Sequence, residues 1–369
     1  MNDILFIFPS TEDSVRLQKF AKFLYDNSYK LNFIGWQRYK DQERPIDKKF
    51  GKIDYLLKGG GEANKKLPGL YLLFLFKLFF KLLFKKNLSK DLIFVINFES
   101  AYIVYLVSFF RKVTYVYDIW DEFAISHQFS PKIVKKLRSI DKHIRNKSAF
   151  YIHVDEKRLS DIDSNNYIII YNSPYDIYNN ENHEVNYENS FAVTGWLNNI
   201  RGLDSIYSFA TANPQISFIV AGEFIDSSVH DKFIKLKNVH YYHFMPQKVL
   251  FDIIKNCRGI FSLYDPSLEI NRLAASNKLY DAMMLSIPSV VNKEIAAAKT
   301  VNDEKIGYLV SYDYDETWNQ LSQFDINETT RLGQNGRRVY LSKYEFNEMM
   351  KREFLPRIEV LLKDSEKKQ

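Results

Sequence analysis

The sequence predicts an α/β fold in which two doubly wound parallel sheets, each flanked by helices, face a cleft. Three observations predict it. Short apolar runs of strand length alternate with stretches of helical spacing through most of the chain. The alternation breaks once, at the polar, asparagine-rich stretch YDIYNNENHEVNYENS (175–190), and then resumes. The length of 369 residues exceeds the roughly 250–300 at which a single core stops growing.

In chain order, ILFIFP (4–9) is a strand ending in a turn, SVRLQKFAKFLYDN a helix, and KLNFIGW a second strand. The pattern recurs as strand DLIFVIN (91–97), a helix from Ala101 to Phe110, and strand KVTYVYDI (112–119). A polar helix over 131–149 precedes the strands FYIHVD and YIIIYNSP, which close the first half near residue 173. The second series runs SFAVTGW, a helix over 203–211, ISFIVAGE, VHYYHF, a helix over 247–256, GIFSLYD, a helix over 276–285, PSVVN and GYLVSY. From Glu316 the chain is helical and charged. The expected organisation is a first domain over 1–173, a linker over 174–190, a second domain over 191–345, and a helix over 346–369 that crosses back to the first.

Composition sets bounds. Apolar residues at 46% and charged residues at 26% describe a folded protein, while the aromatic share of 16%, from 25 Tyr and 29 Phe, is high. A net charge of +6, spread over 51 basic and 45 acidic residues, does not argue for nucleic acid but suits phosphate-bearing ligands or an anionic surface. The single Cys257 excludes an internal disulfide and a cysteine-rich metal site, as a reducing cytoplasm would allow. MNDILFIFPS carries an acidic residue where a signal peptide is basic, so it is expected to be a first strand.

The residues able to do chemistry gather at strand ends of the second half. In VTGWLNNIRG (193–202), Gly195 ends a strand and Arg201 precedes a helix whose free N–H groups favour an anion; a solvated loop arginine is the plainer alternative. Gly222 in FIVAGE permits close backbone approach, or is an ordinary turn. In FSLYDPSLEINRLAASNKLYDAM (261–283), the strand ends at Tyr264, a loop carries Asp265, Glu269 and Asn271, and a helix begins at Asn277. Lys278 falls in its first turn and Asp281 one turn later on nearly the same face. A cation at the positive end of a helix is misplaced unless an anion joins it there, although the two side chains could instead pair with each other.

NKLYDAMMLSIPSVV resembles the donor-site segment of GT-B glycosyltransferases of the family 4 type. GWLNNIRG looks like that family's strand-Gly-loop-Lys/Arg-Gly element, YIIIYNSP like its entrance to the second domain, GIFSLYDPSLE like its strand and acidic loop, and IGYLV like its closing glycine strand. The resemblance covers 165–312 and is architectural before that. It implies a GT-B architecture of two Rossmann-like domains and a nucleotide-sugar donor. Arg201 and Lys278 would hold its diphosphate, Asp281 its ribose, and Glu269 its sugar, with Gly195, Gly222 and Asn277 lining the site. It departs from the pattern at Leu273, where an acid is usual, and at Trp196, where a second base is usual. Cations that meet the charge of a departing diphosphate stabilise the transition state, and no metal or other cofactor is expected.

On the acceptor side, YDIWDEF (117–123) places Asp118, Asp121 and Glu122 at a strand's carboxyl end, where Asp118 could orient or deprotonate a hydroxyl, or simply cap a helix. His127 is a further candidate. The Asp161/Asp163 and Asp313/Asp315 pairs lie in polar turns and read as solvated loops. In LPGLYLLFLFKLFFKLLFKKN (67–87), the run from Leu70 to Phe84 rises only about 22 Å as a helix, too short to span a bilayer. Lys77, Lys81 and Lys85 form one line on it, and nearly all the remaining circumference is apolar. Such a helix suits a membrane interface, or burial between the sheet and a neighbouring domain.

The expected function is transfer of a sugar from a nucleotide donor, a UDP- or GDP-sugar, to a hydroxyl of a saccharide or lipid-linked acceptor in surface-polysaccharide synthesis. The expected site is the inner face of the cell membrane, with retention of configuration implied by the resemblance alone. A non-catalytic scaffold, and an epimerase or phosphorylase on the same plan, are the alternatives.

Overall fold

A computed structural model describes residues 3–9, 14–38, 46–60, 67–126, 129–158, 166–274 and 276–366, the side chains of 364–366 excepted. The chain divides into two compact units, Met1–Ile170 with Met349–Gln369, and Tyr171–Glu348.

In the first unit the strands are β1 (Ile4–Ile7), β2 (Leu31–Gln37), β3 (Gly51–Lys58), β4 (Leu92–Ile96), β5 (Thr114–Ile119), β6 (Phe150–His153) and β7 (Tyr167–Ile169). They form one sheet in the order β3-β2-β1-β4-β5-β6-β7, with every neighbour parallel. Its helices are α1 (Val15–Asp26), α2 (Leu67–Leu83), α3 (Asn97–Val107), α4 (Phe123–Ser126) and α5 (Pro131–Lys147). The central strands ILFI and LIFVI are buried throughout because helices cover both faces. Strand β3 escapes sequence reading: as the edge strand, GKIDYLLK keeps nearly every residue half-exposed and shows no alternation.

Helix α2 is two-faced. Phe74, Leu78 and Leu82 are fully buried on the sheet side, with Phe74 stacked on Trp36. On the other side Leu72, Phe76, Phe80 and Phe84 are exposed, Phe84 by 73%. The lysine line turns toward neighbouring strands and loops: Lys77 donates to the Leu56 carbonyl, Lys81 pairs with Asp54 of β3, and Lys85 with Asp91. No helix among the described residues is long and apolar enough to cross a membrane.

The second unit has β8 (Glu188–Leu197), β9 (Ser217–Phe224), β10 (Val239–Tyr242), β11 (Cys257–Ser262), β12 (Ser289–Asn292) and β13 (Gly307–Val310), all parallel in the order β10-β9-β8-β11-β12-β13. Its helices are α6 (Leu203–Ala212), α7 (Ser227–Phe233), α8 (Gln247–Ile254), α9 (Glu269–Arg272), α10 (Asn277–Met284), α11 (Ala297–Glu304) and α12 (Ile326–Val339). Strand β8 runs two residues beyond Gly195, and β11 stops two residues short of Tyr264, against the expected ends. Cys257 is buried, and burial pushes its thiol up to about 12.

The stretch expected to be a linker has no helix or strand before β8 begins at Glu188, yet it is pinned. Asp176 takes a two-pronged bond from Arg337 of α12 at 2.7 and 2.8 Å, with the arginine only 1% exposed, and Tyr187 donates to the Ser286 carbonyl. Isolated anchors of this kind leave no periodicity for a sequence pattern to reveal. At the chain's end, Phe354 packs edge-on against Phe20, Phe94 and Phe150 of the first unit, ahead of the helix Leu355–Glu366.

Candidate functional site

In a parallel sheet a ligand crevice opens beyond the carboxyl ends of the strands, where the strand order reverses. In the second unit that place lies between β8 and β11, because β9 and β10 are laid down on one side and β12 and β13 on the other.

Two glycines strip the end of β8 and β9 of side chains. Gly195 (φ +94°) and Gly222 (φ +142°) are register partners, and a methyl group at Gly222 would lie 1.9 Å from the Gly195 carbonyl oxygen. Only a residue without Cβ fits there. A methyl group at Gly195 would meet Cε and Nζ of Lys278 at 3.6 Å, so the structure brings Gly195, Gly222 and Lys278 together. Lys278 is half-buried in the first turn of α10. The N-cap residue Ser276 gives no side-chain bond to the helix, since its hydroxyl is tied to that of Ser262 at 2.7 Å. The first N–H groups of α10 thus lack a side-chain cap, and anions favour such an end.

Arg201 ends a short 3₁₀ turn, Asn199–Arg201, that follows β8. Its guanidinium lies over the Tyr264 ring, with Cζ 4.0 Å from the centroid, and Nη1 is buried with no hydrogen-bond partner among the described residues. Leaving a charged donor unsatisfied costs on the order of 1–3 kcal/mol, which a bound anion would restore. Tyr264 is fixed from behind. Its N–H donates to Oδ1 of the fully buried Asn292 at 2.9 Å, and Asn292 Nδ2 donates to its carbonyl at 3.1 Å. The N–H of Asp265 donates to the Ile200 carbonyl at 3.0 Å, which ties the loop after β11 to the loop after β8.

Asp281 is half-buried one turn along α10 and accepts from Gln247 Nε2 at 3.3 Å. Glu269 opens α9 and Asn277 opens α10, both exposed. Sequence reasoning missed the supports: Asn292, a lone amide ending the apolar strand PSVVN, was the available signal. Trp196, directly after Gly195, is 67% exposed.

At Asp118 the acceptor-side expectation does not fit the geometry. Asp118 is 1% exposed, and its two oxygens accept from Arg16 Nε at 3.0 Å, Arg16 Nη2 at 2.8 Å and Trp120 Nε1 at 2.7 Å. Arg16 Nη1 also donates to the Ile170 carbonyl at 2.8 Å. A carboxylate so enclosed is an anchor between α1 and β5, with no open oxygen for an acceptor hydroxyl. Asp121 pairs with Arg158 and Glu122 with Arg138. Asp315 caps the turn Glu316–Leu321 by accepting from the Thr317 N–H and hydroxyl, and hydrogen bonding from Ser311 and then Thr317 holds its carboxyl below the usual range. His127, Asp161 and Asp163 lie outside the described residues. Among the described residues, no group of three or more His, Cys, Asp or Glu side chains is placed to share a metal ion.

No protein-family model matches the sequence, and no curated protein matches it. Solved structures do match over nearly the whole chain. Sucrose-phosphate synthase from Thermosynechococcus elongatus is 12% identical with a TM-score of 0.73, over 99% of this chain and 100% of that one. Anabaena HepE in complex with UDP-glucose is 14% identical with a TM-score of 0.69, over 97% and 99%. A UDP-N-acetylglucosamine 2-epimerase is 11% identical with a TM-score of 0.58, over 95% and 94%. Similarity at this level of identity establishes architecture: the chain has two Rossmann-like units, the fold of the GT-B glycosyltransferases.

Proposed function

We propose that the chain is a glycosyltransferase that takes a nucleotide sugar, a UDP-sugar before a GDP-sugar, and transfers the sugar to a hydroxyl of a saccharide or lipid-linked acceptor in surface-polysaccharide assembly. The observation that carries the reading is the convergence of Lys278 and the unpartnered Arg201 Nη1 on the switch point of the second unit, beside two glycines that leave room for a ligand. That the HepE structure holds UDP-glucose on this fold favours a UDP donor.

The chemistry follows from the charges. The bond that breaks joins the anomeric carbon to a phosphate oxygen, and its electron pair leaves with the diphosphate. The acceptor oxygen bonds to the anomeric carbon and its proton passes to the released diphosphate. Lys278, Arg201 and the first N–H groups of α10 would meet the growing negative charge, more strongly in the transition state than before it. Asp281 would accept hydrogen bonds from the ribose, and Glu269 would face the sugar. With those cations in place the transfer needs no metal, and retention of configuration remains part of the proposal.

Calorimetry with UDP and GDP, followed by a screen for slow hydrolysis of nucleotide sugars, tests it. Micromolar binding of one nucleotide and release of its sugar are expected; a protein that binds neither is a scaffold. The epimerase among the structural matches favours a second reading, in which a UDP-sugar would be converted to its epimer with no acceptor present.

We also propose that the first unit rests on the inner face of the cell membrane through residues 67–87. Phe76, Phe80 and Phe84 form a continuous ladder of rings, Phe79 carries it to Phe110 (68% exposed), and Phe109 adds a further exposed ring at the end of α3. Exposed aromatic area of this extent marks an interaction surface. Residues 51–147 hold eighteen basic and eight acidic side chains, a balance of +10 in a chain of +6, which suits anionic headgroups. Flotation with phosphatidylglycerol vesicles should carry the protein upward, and Phe80→Glu with Phe84→Glu should leave it at the bottom. Recovery of the unaltered protein entirely in the soluble fraction would refute this part.

A further inference from the structure

The first unit has its own switch point, between β1 and β4, one strand away from the acids that sequence reasoning favoured. Around it the structure collects a polar group that no charge pairing explains. Asn97, at the junction of β4 and α3, has a left-handed backbone (φ +61°), uncommon for a residue with a side chain, and its Oδ1 is buried with no hydrogen-bond partner among the described residues. Arg38, directly after β2, lies over the rings of Trp36 and Tyr71, 4.8 and 4.7 Å from their centroids. It donates through Nη2 to the Pro9 carbonyl beyond β1, at 2.9 Å, and to the Tyr71 hydroxyl, while its Nε is buried without a partner among the described residues. Tyr71 in turn donates to Glu99 Oε1 at 3.4 Å, and burial and then Glu99 push its phenol up.

We infer that Asn97, Arg38, Tyr71 and Glu99 form the subsite that holds hydroxyl groups of a neutral saccharide acceptor. The inference rests on the transferase reading and gives it an acceptor side. The chemistry selects the ligand class. One unpartnered atom accepts and the other donates, and each unsatisfied group is costly to bury. An anion would satisfy Arg38 but face Oδ1 of Asn97 and the Glu99 carboxylate, and a cation would meet the reverse mismatch at Arg38. A hydroxyl both donates and accepts, so adjacent hydroxyls of a sugar ring answer both needs. The left-handed backbone at Asn97 fits a functional site, since strain of this type is retained where it positions a group.

Saturation-transfer NMR with octyl β-glucoside, octyl β-galactoside and octyl β-N-acetylglucosaminide tests the subsite, each used below its micellar concentration. At least one probe should receive saturation from the unaltered protein. Asn97→Gly, which keeps the left-handed backbone without strain, should reduce that signal at least fivefold, and Glu99→Gln should reduce it with the fold intact. UDP binding by calorimetry should be unchanged in both. A protein that binds nucleotide but none of the glycosides, or an Asn97→Gly protein that still takes full saturation, overturns the inference and leaves the donor site standing. Loss of nucleotide binding in the unaltered protein sinks the transferase reading instead, and the comparison of Asn97 with glycine still decides the subsite.

Discussion

The guanidinium of Arg201 lies over the ring of Tyr264, 4.0 Å from its centroid, and the tyrosine is itself clamped by Asn292. A planar cation held on a fixed shelf is pre-oriented for a phosphate, so little rotamer freedom remains to be lost on binding. Arg201→Ala should weaken UDP binding by about 1.5–3 kcal/mol, the range for a hydrogen bond to a charged group. Arg201→Lys should recover less than half of that, because an ammonium has no plane to stack. Calorimetry on both variants decides; equal affinity for the lysine variant and the unaltered protein would count against the stacked geometry.

Lys278→Ala should leave thermal stability nearly unchanged and lower both donor affinity and turnover by about tenfold or more, since a half-buried cation in the first turn of a helix contributes little to folding. Kinetics identical to those of the unaltered protein would remove the phosphate assignment. The same assays repeated in EDTA should give unaltered rates; a loss restored by magnesium would overturn the metal-free mechanism.

The two glycines separate stability from binding. Gly222→Ala forces a methyl group onto backbone at 1.9 Å and should cost several kcal/mol, read as a lower denaturant midpoint. At Gly195 the added methyl meets only ordinary contacts at 3.6 Å, so the penalty is the left-handed backbone, about 1–2 kcal/mol. Its larger effect should be on the donor, because the methyl would sit beside the Lys278 ammonium.

The buried pair of Arg16 and Asp118 makes the opposite forecast. Asp118→Ala strands an arginine that is 7% exposed and should destabilise the protein by about 3–5 kcal/mol. Any protein that still folds should retain its turnover per molecule. A folded Asp118→Asn variant with activity reduced a thousandfold would return the residue to the chemistry.

His153 gives the first unit a pH dependence. Burial, then the nearby charges of Arg145, Arg158 and Arg16, push its imidazole down to about 3 from 6.5. The unfolded chain therefore binds the extra proton between those values and the folded chain does not. Stability from this group is complete above pH 6.5 and declines as pH falls toward 3, by up to about 1.4 kcal/mol per pH unit. His153→Gln should flatten that part of the urea-midpoint profile; a slope that persists unchanged assigns it to other groups.

Much of the architecture was legible because buried parallel strands such as LIFVI and SVVN are uninterrupted apolar runs, and the helices between them show a clear period. The residues proposed for the donor were picked out through one mismatch, a lysine at a helix start. What stayed hidden depends on contacts distant in sequence. Asp118 could not be told from a reactive acid until Arg16, 102 residues earlier, was seen across from it. Strand β3 lacked a pattern because an edge has no second neighbour to impose one, and Asn97 showed nothing unusual until its backbone angle was known. The asparagine-rich stretch read as slack because Arg337, which holds it, lies 161 residues downstream of Asp176.

Cys257 has a practical consequence. With its sulfur buried at the start of β11 and the thiolate disfavoured at neutral pH, maleimide reagents should leave the native protein unmarked. A cysteine introduced at Trp196 or Phe84 would then be the sole attachment point for a fluorophore, so nucleotide docking and contact with lipid could each be followed from one dye without first removing the natural thiol.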